Sequence, residues 1–321
     1  AWQASLYERL KWPAKALAVY EQLLDGADET GMLRLRCLQL AGGLGLLRKT
    51  QGHLVRLQEK FPGLSESPQT RLLIAKALTE TAAYGAAREY YAGMLASSKP
   101  DGALVMAALL GLAEIHRQSG LPYEEEQVLR QAYLHDPQDK AVLGRLFSLA
   151  LEEKRFAEAG IWLERLKQQE GKLRDSETLP QLGVLANKAL DPRLLRARLL
   201  AAEGETRDAV KVLKQLAGEL PKTTGRELPP PSAMLRREVE LLLARLVFAD
   251  GRYAEAEQIA GPLSAQRGGP EADLLLLRLY RAQGKGEAEK ALLARLRAEI
   301  TQDQGLVLEF MQAMQEEGLQ E

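Results

Sequence analysis

The sequence predicts an all-α solenoid of stacked helical hairpins, and three observations carry that expectation. Leu and Ala supply most of the apolar content, aromatics make up only 5% and β-branched residues are sparse, so helix formers fill the positions a core needs. The stretch "FAEAGIWLERL" from Phe156 to Leu166 is echoed by "YAEAEQIAGPL" from Tyr253 to Leu263: an aromatic, Ala-Glu-Ala, then apolar residues at helical spacing. Related stretches then recur through the 321 residues at intervals that suit one supersecondary unit each.

The units align on a small residue in the second helix of each hairpin. These anchors are Ala16, Thr50, Ala87, Glu125, Ala159, Ala209, Ala256 and Ala288, separated by 34, 37, 38, 34, 50, 47 and 32 residues. Four positions on stand Tyr20, Leu54, Tyr91, Leu129, Leu163, Leu213, Ala260 and Leu292. Three further on stand Leu23, Leu57, Met94, Ala132, Leu166, Leu216 and Leu263, with Arg295 as the exception. The i, i+4, i+7 spacing puts each trio on one helical face, which must be buried. Twelve residues before the anchors, the first helix presents Ala4, Leu38, Ala75, Ala113, Phe147, Ala197, Ala244 and Leu276.

Punctuation falls where hairpins require it. Gly120, Gly204 and Gly251 lie five residues before their anchors and suit the left-handed residue that ends a first helix. Pro62, Pro137 and Pro221 close second helices, because proline cannot continue one. Glu125 at a small-residue position predicts a looser crossing in the fourth copy, and Trp162, outside its buried trio, is expected to be half exposed. Trp2 and Trp12 fall in the terminal copy, where a face can lie open.

This pattern resembles the tetratricopeptide repeat family over nearly the whole chain, most sharply at 101–137, 140–171 and 191–221. The resemblance implies a right-handed α-solenoid, a single domain over 1–321 with about eight repeats. Their spans are 1–30, 31–64, 68–101, 106–139, 140–173, 190–223, 237–268 and 269–302, followed by a C-terminal helix at 303–317. Two insertions break the phase. The first, 174–189, reads as partly helical and leads into Asp191-Pro192, a cap with proline in the first turn. The second, 224–236, holds three consecutive prolines and predicts an extended, mobile segment over 224–231 with Ser232 capping the next helix.

Chemistry is not legible in the residues. His53, His116 and His135 do not pair at metal-binding spacing, and the lone Cys37, set among leucines, reads as a small buried hydrophobe. There is no phosphate loop, HExxH or nucleophile elbow. "DGADET" (25–30) lacks the ligand order of a calcium loop, and "GGLG" (42–45) reads as a weakened helix end. Cofactors, metals and catalytic residues are therefore expected to be none, and the protein is expected not to be an enzyme. A net charge of −1 argues against nucleic acid as partner, and the longest apolar run, 103–113, is too short to span a membrane. The chain opens at Ala1 rather than Met, as expected of a fragment or processed product.

Two readings of function remain: a scaffold that binds a partner in the groove formed by its first helices, and the helical regulatory module of a larger enzyme. The family resemblance implies groove-facing positions on each first helix. They fall on Gln39, Lys76, Glu114, Ser148, Arg198 and Arg245, and on Thr79, Arg117, Leu151, Ala201 and Phe248. Lys76, Arg117, Arg198 and Arg245 form the candidate binding row, suited to a protein or peptide partner of acidic character or to an anionic polysaccharide. The plan also resembles the periplasmic scaffold of bacterial exopolysaccharide exporters. Periplasm and cytoplasm both suit it.

Overall fold

The computed structural model describes residues 2–10, 12–27, 30–96, 101–170, 191–220, 231–265 and 270–302, and no strand occurs among them. The insertion at 174–189, the proline-rich segment up to 230 and the expected helix at 303–317 lie outside the described residues. Seventeen helices are described. The chain divides into two compact units, Ala1–Leu149 and Ala150–Glu321.

The first unit holds α1 (Trp2–Arg9), α2 (Pro13–Ala27), α3 (Met32–Gly43), α4 (Leu47–Lys60), the one-turn α5 (Pro62–Ser65), α6 (Pro68–Glu80), α7 (Tyr84–Leu95), α8 (Gly102–Gln118) and α9 (Pro122–His135). The boundary falls within α10 (Lys140–Glu152). Successive helices pack as antiparallel pairs, and the first helices of neighbouring pairs also touch, α3 on α6 and α6 on α8. The second unit holds α11 (Phe156–Glu170), α12 (Pro192–Ala202), α13 (Thr206–Glu219), α14 (Pro231–Ala249), α15 (Tyr253–Ala265), α16 (Pro270–Ala282) and α17 (Gly286–Gln302). There α14 packs on α16 in the same manner.

One turn is used eight times. A backbone N–H reaches the carbonyl five residues earlier in Trp12→Tyr7, Leu46→Ala41, Ala83→Leu78, Leu121→His116, Arg155→Ala150, Glu205→Leu200, Arg252→Val247 and Lys285→Tyr280. This is the Schellman closure, which satisfies carbonyls that the end of a first helix leaves open. It demands a left-handed residue just before the donor. Gly45, Gly120, Gly204, Gly251 and Gly284 fill that place at φ 67 to 87°, while Ala82 (58°) and Lys154 (59°) hold it without being glycine. In the last hairpin the same turn puts Glu289, not Ala288, four residues after the donor, so the register there runs one residue later than the sequence alignment gives.

The anchors are what lets each pair cross closely. Ala16, Thr50, Ala87, Ala159, Ala209 and Ala256 are fully buried, as are Leu57, Leu129, Leu163, Leu166, Leu213 and Leu216 on the same faces. Each such leucine contributes about 1.5–3 kcal/mol relative to an exposed one. Glycine matters at two approaches. A Cβ on Gly42 would stand 2.8 Å from the Ala77 Cα, and one on Gly111 would stand 2.2 Å from the Tyr91 ring. So "GGLG" is where α3 meets α6 as well as a helix end.

Three first helices, α6, α8 and α12, begin on side-chain caps. Ser67 accepts from the Thr70 N–H at 3.3 Å, Asp101 from Ala103 at 3.0 Å and Asp191 from Arg193 at 2.8 Å, the last with Pro192 in the first turn. Ser232 corrects the sequence reading: α14 already starts at Pro231, so Ser232 lies inside its first turn. Trp162 is a second correction. It is 5% exposed, with the Arg165 guanidinium 4.9 Å from its ring centroid, because the face beside the trio is covered too. Cys37 is buried, and Trp2 and Trp12 are exposed.

Candidate interaction surface

First helix packs on first helix from α3 through α6 to α8 in the first unit and from α14 to α16 in the second, so their outward faces adjoin there. In the first unit Glu8 of α1 and Arg36 of α3 are joined by Arg36 Nε donating to Glu8 Oε1 at 2.9 Å. That bond, outweighing the effect of burial, holds the Glu8 carboxyl below the ordinary carboxylate range. Arg36 also donates to Gln39 at 3.1 Å.

Lys76 of α6 is half-buried, and Arg117 of α8 is exposed. Arg117 is engaged by its own helix: its Nε donates to Glu114 Oε2 at 2.8 Å, and Gln118 Nε2 donates to Glu114 at 2.6 Å. The Tyr84 hydroxyl at the start of α7 donates to Gln118 Oε1 at 2.7 Å. Glu114 thus gathers one cation and one amide, and the local face carries both signs of charge. Thr79 is buried, its hydroxyl donating back to the Ala75 carbonyl at 2.9 Å.

In the second unit Arg198 of α12 is half-buried and ion-paired with Glu238 of α14. Arg237 on the next position of α14 reaches Glu271 of α16 at 3.6 Å. Arg245, one further stretch along α14, is half-buried. Lys76 and Arg117 therefore belong to adjacent first helices of one unit, and Arg198 and Arg245 to consecutive first helices of the other.

The carboxylates Glu8 and Glu238 were not among the expected groove positions. For Glu8 the signal in the sequence is spacing, whereas Glu238 stands 40 residues from Arg198 and shares no such period. Arg36–Glu8, Lys49–Glu21 and Lys285–Glu257 are each 28 residues apart, one repeat less about a turn and a half of helix.

Among the described residues no cluster of three or more His, Cys, Asp or Glu is arranged to hold a metal ion, and no helix is long and apolar enough to cross a membrane.

No protein-family model and no curated protein match the sequence. Among solved structures, the chain is similar to a tetratricopeptide repeat protein from Parabacteroides merdae, with a TM-score of 0.60 and 13% identity over 88% of this chain and 98% of that one. That likeness shows the fold: an all-α, right-handed solenoid class of stacked helical hairpins. Weaker likenesses are to Naa15/Naa10 bound to HypK-THB (TM-score 0.35, 11% identity, 89% of this chain and 39% of that one) and to the P58(IPK) TPR domain (0.26, 11%, 99% and 87%).

Proposed function

We propose that this protein is a non-catalytic scaffold whose first-helix faces hold a partner polypeptide, with Lys76, Arg117, Arg198 and Arg245 as its cationic contacts. The observation that supports this reading is the direct packing of first helix on first helix, which gives a strip of half-exposed polar side chains rather than a closed cavity. Arg117 and Arg198 already hold Glu114 and Glu238. A guanidinium has five N–H donors in a fixed fork, so an arriving carboxylate shares the cation or displaces the internal partner. The internal acids thereby select against a weak polyanion, since each contact must beat an existing pair.

Fluorescence anisotropy with labelled polyglutamate and with an anionic polysaccharide such as alginate tests the proposal, and separates a peptide occupant from the polymer that an export scaffold would carry. Binding should fall as salt rises, and Arg198→Glu with Arg245→Glu should weaken it without lowering the unfolding temperature. Salt-independent binding, or full affinity in the double reversal, would remove these residues from the site.

A further inference from the structure

The eight equivalent turns differ between the two units. At the donor position of the closure the second unit carries Arg155, Glu205, Arg252 and Lys285, whereas the first carries Trp12, Leu46, Ala83 and Leu121. The three cations of the charged set are neutralised: Arg155 pairs with Glu153 at 2.9 Å, Arg252 with Asp250 at 2.8 Å and Lys285 with Glu257 at 2.7 Å. Of the apolar set Trp12, Leu46 and Leu121 are exposed and Ala83 is half-buried. Leu10 is 49% exposed, Trp12 47%, and Leu46 and Leu47 39% each.

Charge is segregated around the same two turns. Residues 9–20 hold three basic and no acidic residues, and Arg48 and Lys49 follow the α3–α4 turn, whereas Arg34 and Arg36 lie at the far end of α3. Arg9 and Arg48 are exposed and carry no ion pair among the described residues; Lys15 lies 4.2 Å from the Trp12 ring centroid. The acids of this hairpin lie before and after: Glu8 is held by Arg36 at 2.9 Å, Glu21 by Lys49 at 2.8 Å, and Asp25 lies in the last turn of α2. The consecutive turns leave the stack on one edge, since α2 lies between α1 and α3 and its Glu21 reaches the first turn of α4.

We propose that this edge, the α1–α2 and α3–α4 turns, docks on an anionic lipid surface. Leu10, Trp12, Leu46 and Leu47 form tips on a ridge rather than a groove, so they suit insertion into a headgroup layer better than reception of a partner helix. The cations beside them meet lipid phosphates and carboxylates while their stems stay among the apolar tips. The edge ends within the unit: at the α8–α9 turn the exposed Tyr123 is followed by the exposed Glu124, which an anionic surface repels, while Glu125 and Glu126 are paired with Arg145 and Arg130. Trp2 is not needed for this reading, because it belongs to the outer face of α1 and not to the turns.

Co-sedimentation of the full chain with vesicles of phosphatidylcholine alone, and of phosphatidylcholine with about one-third phosphatidylserine, tests it. The anionic vesicles should carry the protein down and the neutral ones should not. Arg9→Glu with Arg48→Glu should weaken binding at least tenfold, given roughly fivefold per cation near such a surface. Trp12→Ser with Leu46→Ser should also weaken it, while Tyr123→Ser and the groove pair Arg198→Glu with Arg245→Glu should leave it unchanged. Circular dichroism melting establishes that each variant is folded. Absence of vesicle binding, equal binding to neutral vesicles, or full binding in the folded charge reversal would overturn the proposal. Loss of polyglutamate capture in that reversal, with vesicles ignored, would make the edge a protein contact instead.

Discussion

Glu125 and Arg145 are joined between α9 and α10, Arg145 Nη2 donating to Glu125 Oε2 at 3.1 Å, with the glutamate only 2% exposed. Glu125 occupies the place where six other second helices carry Ala or Thr, so this hairpin replaces a close apolar crossing by a buried ion pair. Breaking one side strands the other charge. Arg145→Met is expected to cost about 3–5 kcal/mol, whereas Glu125→Ala combined with Arg145→Met should return close to wild-type stability. Urea unfolding of the single and double variants measures this; an Arg145→Met protein with the wild-type midpoint would mean that the pair carries no structural role.

Gly111 lies against the Tyr91 ring, where an added Cβ would overlap it at 2.2 Å. On propensity alone Gly111→Ala would gain about 1 kcal/mol. The overlap should reverse the sign and leave a net loss of roughly 1–3 kcal/mol. Adding Tyr91→Leu should recover part of that loss, a coupling that a double-mutant cycle reads directly. Additive effects would contradict the proposed contact.

Lys154 and Ala82 hold left-handed conformations that suit glycine. The conformation costs a residue with a Cβ about 1 kcal/mol or more, and glycine loses somewhat less than that in chain entropy. Lys154→Gly should therefore raise stability by a few tenths of a kcal/mol, and Gly251→Ala, at φ 77°, should lower it. Opposite shifts of the thermal midpoint in the two variants are the expected result.

Burial lowers the pKa of His53 below the ordinary imidazole value, even though Glu21, 3.3 Å from Nε2, works to raise it. Arg34 and Arg56 add to the lowering, and Lys49 shares the same carboxylate. The unfolded chain binds this proton more readily than the native one. The contribution of His53 is thus complete above its unfolded pKa and is lost as pH falls through the folded one. Stability should drop between about pH 7 and pH 5, and His53→Gln should flatten that slope by at most about 1.4 kcal/mol per pH unit. An unchanged slope would show that the imidazole is not desolvated.

Much of the fold is legible because its repeats obey short-range rules. Apolar spacing marks the buried faces, and Gly120, Gly204 and Gly251 mark turns that the backbone confirms. Residues with ambiguous chemistry hide the rest. Ala82 and Lys154 give no sign of a left-handed turn, and Gly286 starting α17 shifts the last copy by one residue. Trp162 is buried by neighbours that its own helix does not specify. The acids that meet Arg36 and Arg198 are not legible beside them, because they come from other hairpins.

In the last described hairpins, Ser264 of α15 donates to Asp273 of α16, and Arg295 of α17 donates to Ser264 at 2.7 Å and to Asp273 as well. In the shifted register Leu296 fills the apolar position at 5% exposure and Arg295 stands one residue before it, so the clasp lies beside the greasy contact. Here fraying of α17 would leave the Asp273 carboxylate, almost entirely enclosed, without its counter-ion. Amide protons of α17 should consequently exchange together with those of α15 and α16 instead of ahead of them, which turns three helices into one cooperative end piece.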